Sequence, residues 1–403
     1  MKLLYLTMIT PAPSEVFLAV EVRGLVQRGN TVKIVALRGR LPDHDKLVAD
    51  QHLGAVEISA PPYFSARTLA DMVYWTRRSP LIVLWLVWAV VARCWRRPST
   101  LLLSLVLVPK SFSVARYVEQ EGFDAVHFAW GHYPAVTAYL LERLMPDLPL
   151  TLALGAYDRL RRNPMTIPAA NHADRVLTQS ERNAQLIRDD WPRTTTPIQV
   201  IYRGIEINHL RAYRGAPTTP GLIVSSARLL PHKGHQNMIR ALHKIRAAVP
   251  QAHLMIFGAG AYQAELEQLI ADEGLTDVVT LGGHVPHEQL FAATARASVY
   301  TLVSERDWLP NSLKEAMALG VPVITTPTTG MEELVQDGIT GLVVPYGDID
   351  ATADAVIRVL CDPALAERLT RAALESIEKF DIELTSQQRH DLYESLIRQK
   401  HNR

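Results

Sequence analysis

The sequence predicts an α/β fold of two doubly wound, parallel-sheet domains, on three observations. Short β-rich apolar runs alternate with longer segments of helical period. That rhythm restarts after a stretch rich in Pro, Gly and Thr. The 403 residues, 48% hydrophobic and 21% charged, suffice for two such domains and are too apolar for general disorder.

The elements follow in order. Lys2–Met8 reads as a first strand, and the polar turn Thr10-Pro11-Ala12-Pro13-Ser14 follows it. Glu15–Arg28 has helical spacing through Phe17, Leu18, Val20, Leu25 and Val26, and Gly29 ends it. Thr31–Leu37, Ala125–Phe128, Leu150–Leu154, Arg175–Thr178 and Gln199–Tyr202 read as strands. Arg214–Gly221 has no apolar period and reads as a linker. Beyond it come strands at Leu222–Ser225, His253–Phe257, Val278–Leu281, Val299–Val303, Val321–Thr325 and Gly341–Val344. Helices are expected at His235–Val249 and around Ala264–Glu273, and from Asp354 nearly to the end. The domains are expected at 1–204 and 205–375, with 376–403 as terminal helices packing back on the first. Ligand is expected in a cleft at the strand ends.

Composition removes several function classes. Lys plus Arg is 42 against 41 for Asp plus Glu, a balance unlike that of a dedicated nucleic-acid binder. Cys94 and Cys361 are too few for a disulfide framework or zinc cluster, so a reducing, cytoplasmic location is expected. No small-residue cleavage site follows Met1–Leu6, so no secretory signal is expected. Two apolar runs, Leu81–Ala92 and Leu101–Val108, flank Arg93, Arg96 and Arg97. Both are shorter than the roughly 18–20 residues of a spanning helix. They are expected either as buried segments or, with Arg77 and Arg78, as a monotopic surface on the inner face of the membrane.

The first turn contains no glycine, and Gly258-Ala259-Gly260 supplies only a G-x-G, so neither a nicotinamide fingerprint nor a P-loop is present. Arg228 and Lys233, in SSARLLPHKGH, fall just past a strand and just before a helix. Two permanent cations at a sheet's carboxyl edge suit a diphosphate, although charges on a solvated loop would look the same. In DWLPNSLKEAMA, Pro310 suits a helix start, and the free amides around Leu309, Asn311 and Ser312 favour a phosphate or sugar oxygen. Asp307 and Glu315, eight apart across this junction, are placed to face one ligand, with Glu315 suited to a ribose. A plain helix cap with surface acids is the alternative.

These stretches resemble glycosyltransferase family 4. ARLLPHKG, LMIFGAGAYQAELEQLI, VTLGGHV, PNSLKEAMALGVPVITT and GMEELVQDGITGLVVP stand in the family's order across most of 222–346. Pro13-Ser14-Glu15-Val16-Phe17, Val126-His127-Phe128-Ala129, Ala156-Tyr157-Asp158, RVLTQSE and IYRGIE resemble its exopolysaccharide branch, of colanic-acid and amylovoran type. The resemblance implies the GT-B fold of two Rossmann-like domains. It also implies retaining, metal-independent transfer from a nucleotide sugar, UDP- or GDP-linked, to a saccharide or lipid-linked acceptor, with no cofactor. Arg228 and Lys233 would hold the diphosphate, Glu315 the ribose and Asp307 the transferred sugar. Gly283, His284 and Val285 would read the base, while Gly258, Gly260, Trp308, Gly330, Met331 and Glu332 would complete the donor site. Acceptor binding would fall to the first domain, with Ser14, Glu15, His127, His132 and Asp158.

Three residues depart from the pattern: Asp307 for a Glu, Trp308 for a Gly, and Gly155 for the His of an H-A-Y-D motif. They motivate a competing reading, a non-catalytic nucleotide-sugar-binding or scaffold homologue. A third, an epimerase or phosphorylase, lacks a cofactor-lysine segment. Asp43-His44-Asp45 and Asp348-Ile349-Asp350 match D-x-D, but each is expected as polar loop or helix cap rather than metal site.

Overall fold

The computed structural model describes residues 1–12 and 15–402. The chain divides into two compact units, Met1–Gly204 with Ile382–Arg403, and Ile205–Asp381.

The first unit is a seven-stranded, wholly parallel sheet. Its strands are β1 (Lys2–Thr7), β2 (Thr31–Ala36), β3 (Glu57–Ser59), β4 (Ala125–Phe128), β5 (Leu150–Ala153), β6 (Arg175–Thr178) and β7 (Ile198–Val200), in the order 3-2-1-4-5-6-7. The second unit is six-stranded and parallel. It contains β8 (Leu222–Ser226), β9 (His253–Phe257), β10 (Val279–Gly283), β11 (Val299–Leu302), β12 (Val323–Thr325) and β13 (Leu342–Val343), in the order 10-9-8-11-12-13. The order reverses between β1 and β4, and again between β8 and β11. Those reversals are the switch points where doubly wound sheets take their ligands.

Parallel strands covered on both faces read as unbroken apolar runs, and β4, β8 and β11 are buried throughout. Leu6, Phe128, Leu152 and Phe112 centre the first core; Ile223, Leu254, Val299 and Ile324 centre the second. The last helix, Ile382–His401, belongs to the first unit. Its Tyr393 hydroxyl lies 3.0 Å from that of Tyr5, and its Arg389 pairs with Glu21 at 2.9 Å.

Three expectations change. Arg214–Gly221 is a loop inside the second unit rather than the linker. The chain instead crosses at Gly204–Ile205 and returns at Asp381–Ile382, where Ile205 N donates to Phe380 O at 2.8 Å. Gly204 fits because a Cβ there would stand 2.7 Å from Ile382 Cα. The short edge strand β3 carries too few residues to show alternation. Finally, the second apolar run opens a 24-residue helix, Pro98–Glu121, that continues through Pro109. Proline removes one backbone donor, and Leu107, Val108, Phe112 and Ala115 anchor the helix in the core on either side of it.

Candidate functional site

In the second unit the candidate residues gather at the β8–β11 switch point. Arg228 is exposed two residues past β8. Lys233 closes a short turn, Pro231–Lys233, before the helix His235–Ala248. Gly234 between them has φ +75°, and a Cβ there would stand 1.9 Å from Val303 O. Only glycine lets this loop rest on the end of β11. Glu305 N adds a bond to His232 O at 2.8 Å. The result is a bond across the switch point: Lys233 Nζ donates to Asp307 Oδ2 at 2.6 Å, with both side chains largely covered. The other Asp307 oxygen accepts from Trp308 N at 3.1 Å.

The local field is positive. Burial first, then Lys233, Arg306 and Arg228, hold the His232 imidazole below its usual range. Burial drives His235 down to about 4. Past Pro310, the helix Asn311–Ala318 aims its first amides at the same edge, with Asn311 and Ser312 half-buried. Burial pushes Glu315 up to about 7; Lys314 pulls it back and Glu206 raises it further. An acid raised this way costs the folded state as it ionises, so stability falls as pH rises from about 4.5 through 7. Glu315→Gln is expected to melt higher than wild type at pH above 8, by about 1–3 kcal/mol of stability, and to lose that advantage near pH 5. Paired melts at the two pH values check it.

The glycines serve the fold. A Cβ on Gly258 would stand 1.9 Å from Ala227 O, and one on Gly260 2.2 Å from Leu229 O. Gly258 N donates to Gly283 O at 2.8 Å, and Leu229 N to Ala259 O at 3.0 Å. Gly258 and Gly260 thus fix, by backbone packing, the loop carrying Arg228. His284 is exposed and Val285 half-buried beside them. Met331 is a core residue, 2% exposed, so its side chain is not offered to a ligand; Gly330 and Glu332 flank it. In the DWLP loop the left-handed residue is Leu309, φ +45°, whose side chain is buried, while Trp308 is 39% exposed. The backbone position that would favour glycine is therefore 309, not 308. Sequence reasoning missed Ser304 and Thr328. Their hydroxyls are buried past β11 and β12 with no hydrogen-bond partner among the described residues. A hydroxyl immediately after an apolar strand was the available signal for Ser304.

In the first unit, Glu15 and Trp130 bridge the β1–β4 switch point. Glu15 accepts from Thr10 Oγ1 at 2.5 Å and from Trp130 Nε1 at 3.2 Å. The Trp130 ring meets those of His132 and Tyr157, at 5.7 and 6.2 Å. His132 Nδ1 lies 2.8 Å from Asp158 Oδ1, which also accepts from Gly131 N; Asp158 Oδ2 accepts from Gly155 N. Glu15, His132 and Asp158 are thus connected. His127 is not among them. It is 3% exposed, bonded to Thr151 and set against the Tyr5 ring, with burial holding it well below its usual range. It packs as a core histidine, apart from the group of Glu15, Trp130, His132 and Asp158. Ser14 lies outside the described residues. Arg203, unanticipated, packs 3.5 Å over the Phe17 ring, and burial lowers it to about 10. A Cβ at Gly155 would meet nothing closer than 3.7 Å, so the backbone admits a side chain there.

Other features lie elsewhere. Asp348 caps its helix by accepting from Ala351 N, and Asp350 pairs with Lys244. Asp43 precedes the helix His44–Asp50. A groove of about 950 Å³ in the second unit is lined by Gly221, Ser298 and Pro322, which precede β8, β11 and β12. It therefore opens on the amino edge, away from Lys233 and Asp307.

Residues 206–376 match the family described as Glycosyl transferases group 1. A GDP-mannose-dependent alpha-(1-6)-phosphatidylinositol monomannoside mannosyltransferase of Mycolicibacterium smegmatis is 36% identical over 152 residues, 36% of this chain and 40% of that protein. WcaL of Escherichia coli, named as a colanic acid biosynthesis glycosyltransferase, is 31% identical over 189 residues, 45% of this chain and 47% of its own. The alignments thus span less than half of these two relatives. Among solved structures, Anabaena HepE in complex with UDP superposes with TM-score 0.71 at 19% identity, covering 98% of this chain and all of its own. Sucrose-phosphate synthase of Thermosynechococcus elongatus gives 0.69 at 19%, covering 98% and 99%. The fold is GT-B, two Rossmann-like parallel-sheet domains.

Proposed function

We propose that the chain is a family 4 glycosyltransferase of the exopolysaccharide branch. It moves a sugar, with retention, from a nucleoside-diphosphate sugar to a saccharide or lipid-linked acceptor. The carrying observation is the Lys233–Asp307 bond across the β8–β11 switch point, beside exposed Arg228 and the first amides of Asn311–Ala318. A diphosphate offers Lys233 a stronger partner than one carboxylate, so donor binding draws the ammonium toward phosphate and releases Asp307 to the sugar. As the bond from anomeric carbon to diphosphate breaks, Arg228, Lys233 and the helix amides take up the leaving charge, while the acceptor hydroxyl bonds to that carbon and passes its proton to the departing phosphate oxygen. Glu315 holds the ribose. In the first unit, Glu15, His132 and Asp158 form the acceptor site.

The relatives support this by name: the mannosyltransferase is named as GDP-mannose-dependent and alpha-(1-6), and HepE is solved with UDP. We therefore expect UDP or GDP at the donor base. Calorimetry with UDP, GDP and ADP side by side tests the site, and sugar release from a panel of donors tests turnover. Binding without release on any donor or acceptor would favour the scaffold reading, which exposed Trp308 and Gly155 keep in play.

Transfer is expected to persist in excess EDTA, because the cations already supply the charge a bound metal would bring to the phosphates. Loss of activity restored only by added Mn or Mg would defeat this expectation.

A further inference from the structure

From Met72 to Val118 the chain has no acidic residue and seven basic ones, and it holds four of the seven tryptophans. Apart from Arg93, the helix Ile82–Cys94 is apolar all round. Ile82, Leu86, Ala89 and Val90 are buried against the first unit's core. Leu81, Leu84, Trp88 and Trp95 recur at helical spacing on the other face and are 71, 67, 65 and 60% exposed. Sixteen large apolar side chains are exposed among the described residues, and nine of them fall between Leu69 and Leu103. Scattered exposed apolar groups are ordinary, but this concentration marks an interaction surface.

The rim fixes the kind of partner. Arg77, Arg96 and Arg97 are exposed around the patch, and Arg96 lies 4.9 Å over the Trp95 ring. Arg143 lies 5.0 Å over Trp85, at a surface groove of about 410 Å³ that Leu81, Leu84 and Trp88 also line. A second copy docked face to face would set these arginines against one another. An anionic bilayer offers acyl chains to the tryptophans and leucines, and phosphates to the guanidinium groups.

Spanning does not fit. Ile82–Cys94 has 13 residues. Pro98–Glu121 is long and apolar enough to cross a membrane, yet Leu107, Val108, Phe112, Ala115 and Val118 commit it to the core.

We propose that Ile82–Cys94, with its flanking turns, is a monotopic docking surface for anionic phospholipid, lying in the membrane plane with Leu84, Trp88 and Trp95 inserted. This does not depend on sugar transfer. The test is sedimentation of the full chain with vesicles of mixed phosphatidylglycerol and phosphatidylcholine, against phosphatidylcholine alone. Binding is expected to the anionic vesicles and to weaken between about 0.05 and about 0.5 M salt. Leu84→Ser with Trp88→Ser should weaken it at least about tenfold, with loss of acyl insertion. Arg77→Gln with Arg96→Gln should also weaken it about 25-fold on anionic vesicles, since each arginine near such a surface contributes roughly fivefold. Melting curves matching wild type confirm the fold, and if the serine variant melts early, the arginine variant decides. Absence of binding, or unchanged binding in both double variants, overturns the proposal. So does self-association that the serine changes abolish without vesicle binding.

Discussion

Lys233→Ala is expected to reduce sugar transfer by at least about 100-fold, and Arg228→Ala by a similar factor, the scale of losing a charge partner to a leaving group. Neither change should unfold the protein. Arg228 is exposed, and Lys233 sits on a short turn rather than in a core. Lys233→Ala additionally strands Asp307 without its 2.6 Å partner, so it should lower stability slightly where Arg228→Ala does not. Steady-state kinetics on the preferred donor, paired with thermal melts, separates the effects. Near-normal turnover in both variants would remove the diphosphate assignment altogether.

Gly234→Ala should be among the costliest single methyl groups in the second unit, at about 3 kcal/mol or more of stability. Its Cβ would lie 1.9 Å from a carbonyl oxygen at the end of β11, on a backbone at φ +75°. Gly274→Ala is the matched control. It shares the left-handed backbone, φ +66°, but nothing lies within 4 Å of the added carbon, so it should cost only about 1 kcal/mol. Urea titration of both variants isolates the steric part. Equal losses would show that the loop carrying Lys233 can lift off β11 freely.

Strand positions in both sheets were readable because parallel strands buried on both faces leave continuous apolar runs, as in Leu3–Leu6 and Leu222–Val224. The motif residues Arg228, Lys233 and Asp307 were readable because strand ends at a switch point are where charge is useful. Burial of individual polar groups was not. His127 and His132 sit five residues apart in one segment, yet one faces the sheet interior and the other a carboxylate. Strand alternation alone did not assign them, since β4 is covered on both sides. The glycines at 258 and 260 are ambiguous for a similar reason, because a close approach to the protein's own backbone and one to a ligand leave the same residue behind. The chain crossing was legible in part: the domain boundary was expected at 204/205, where the units divide, but the linker was read at Arg214–Gly221. Proline and glycine mark a loop, whereas Gly204 is recognised only once Ile382 is seen against it.

That crossing has a bearing on how the protein is made. The first unit is discontinuous: its sheet is complete by Val200, but the helix bearing Arg389 and Tyr393 is encoded after the whole of the second unit. On the ribosome, Glu21 and Tyr5 must wait for those partners while Ile205–Asp381, a continuous segment, can already close. Synthesis therefore reverses the usual N-terminal-first order of maturation. The first unit, though translated first, is finished last.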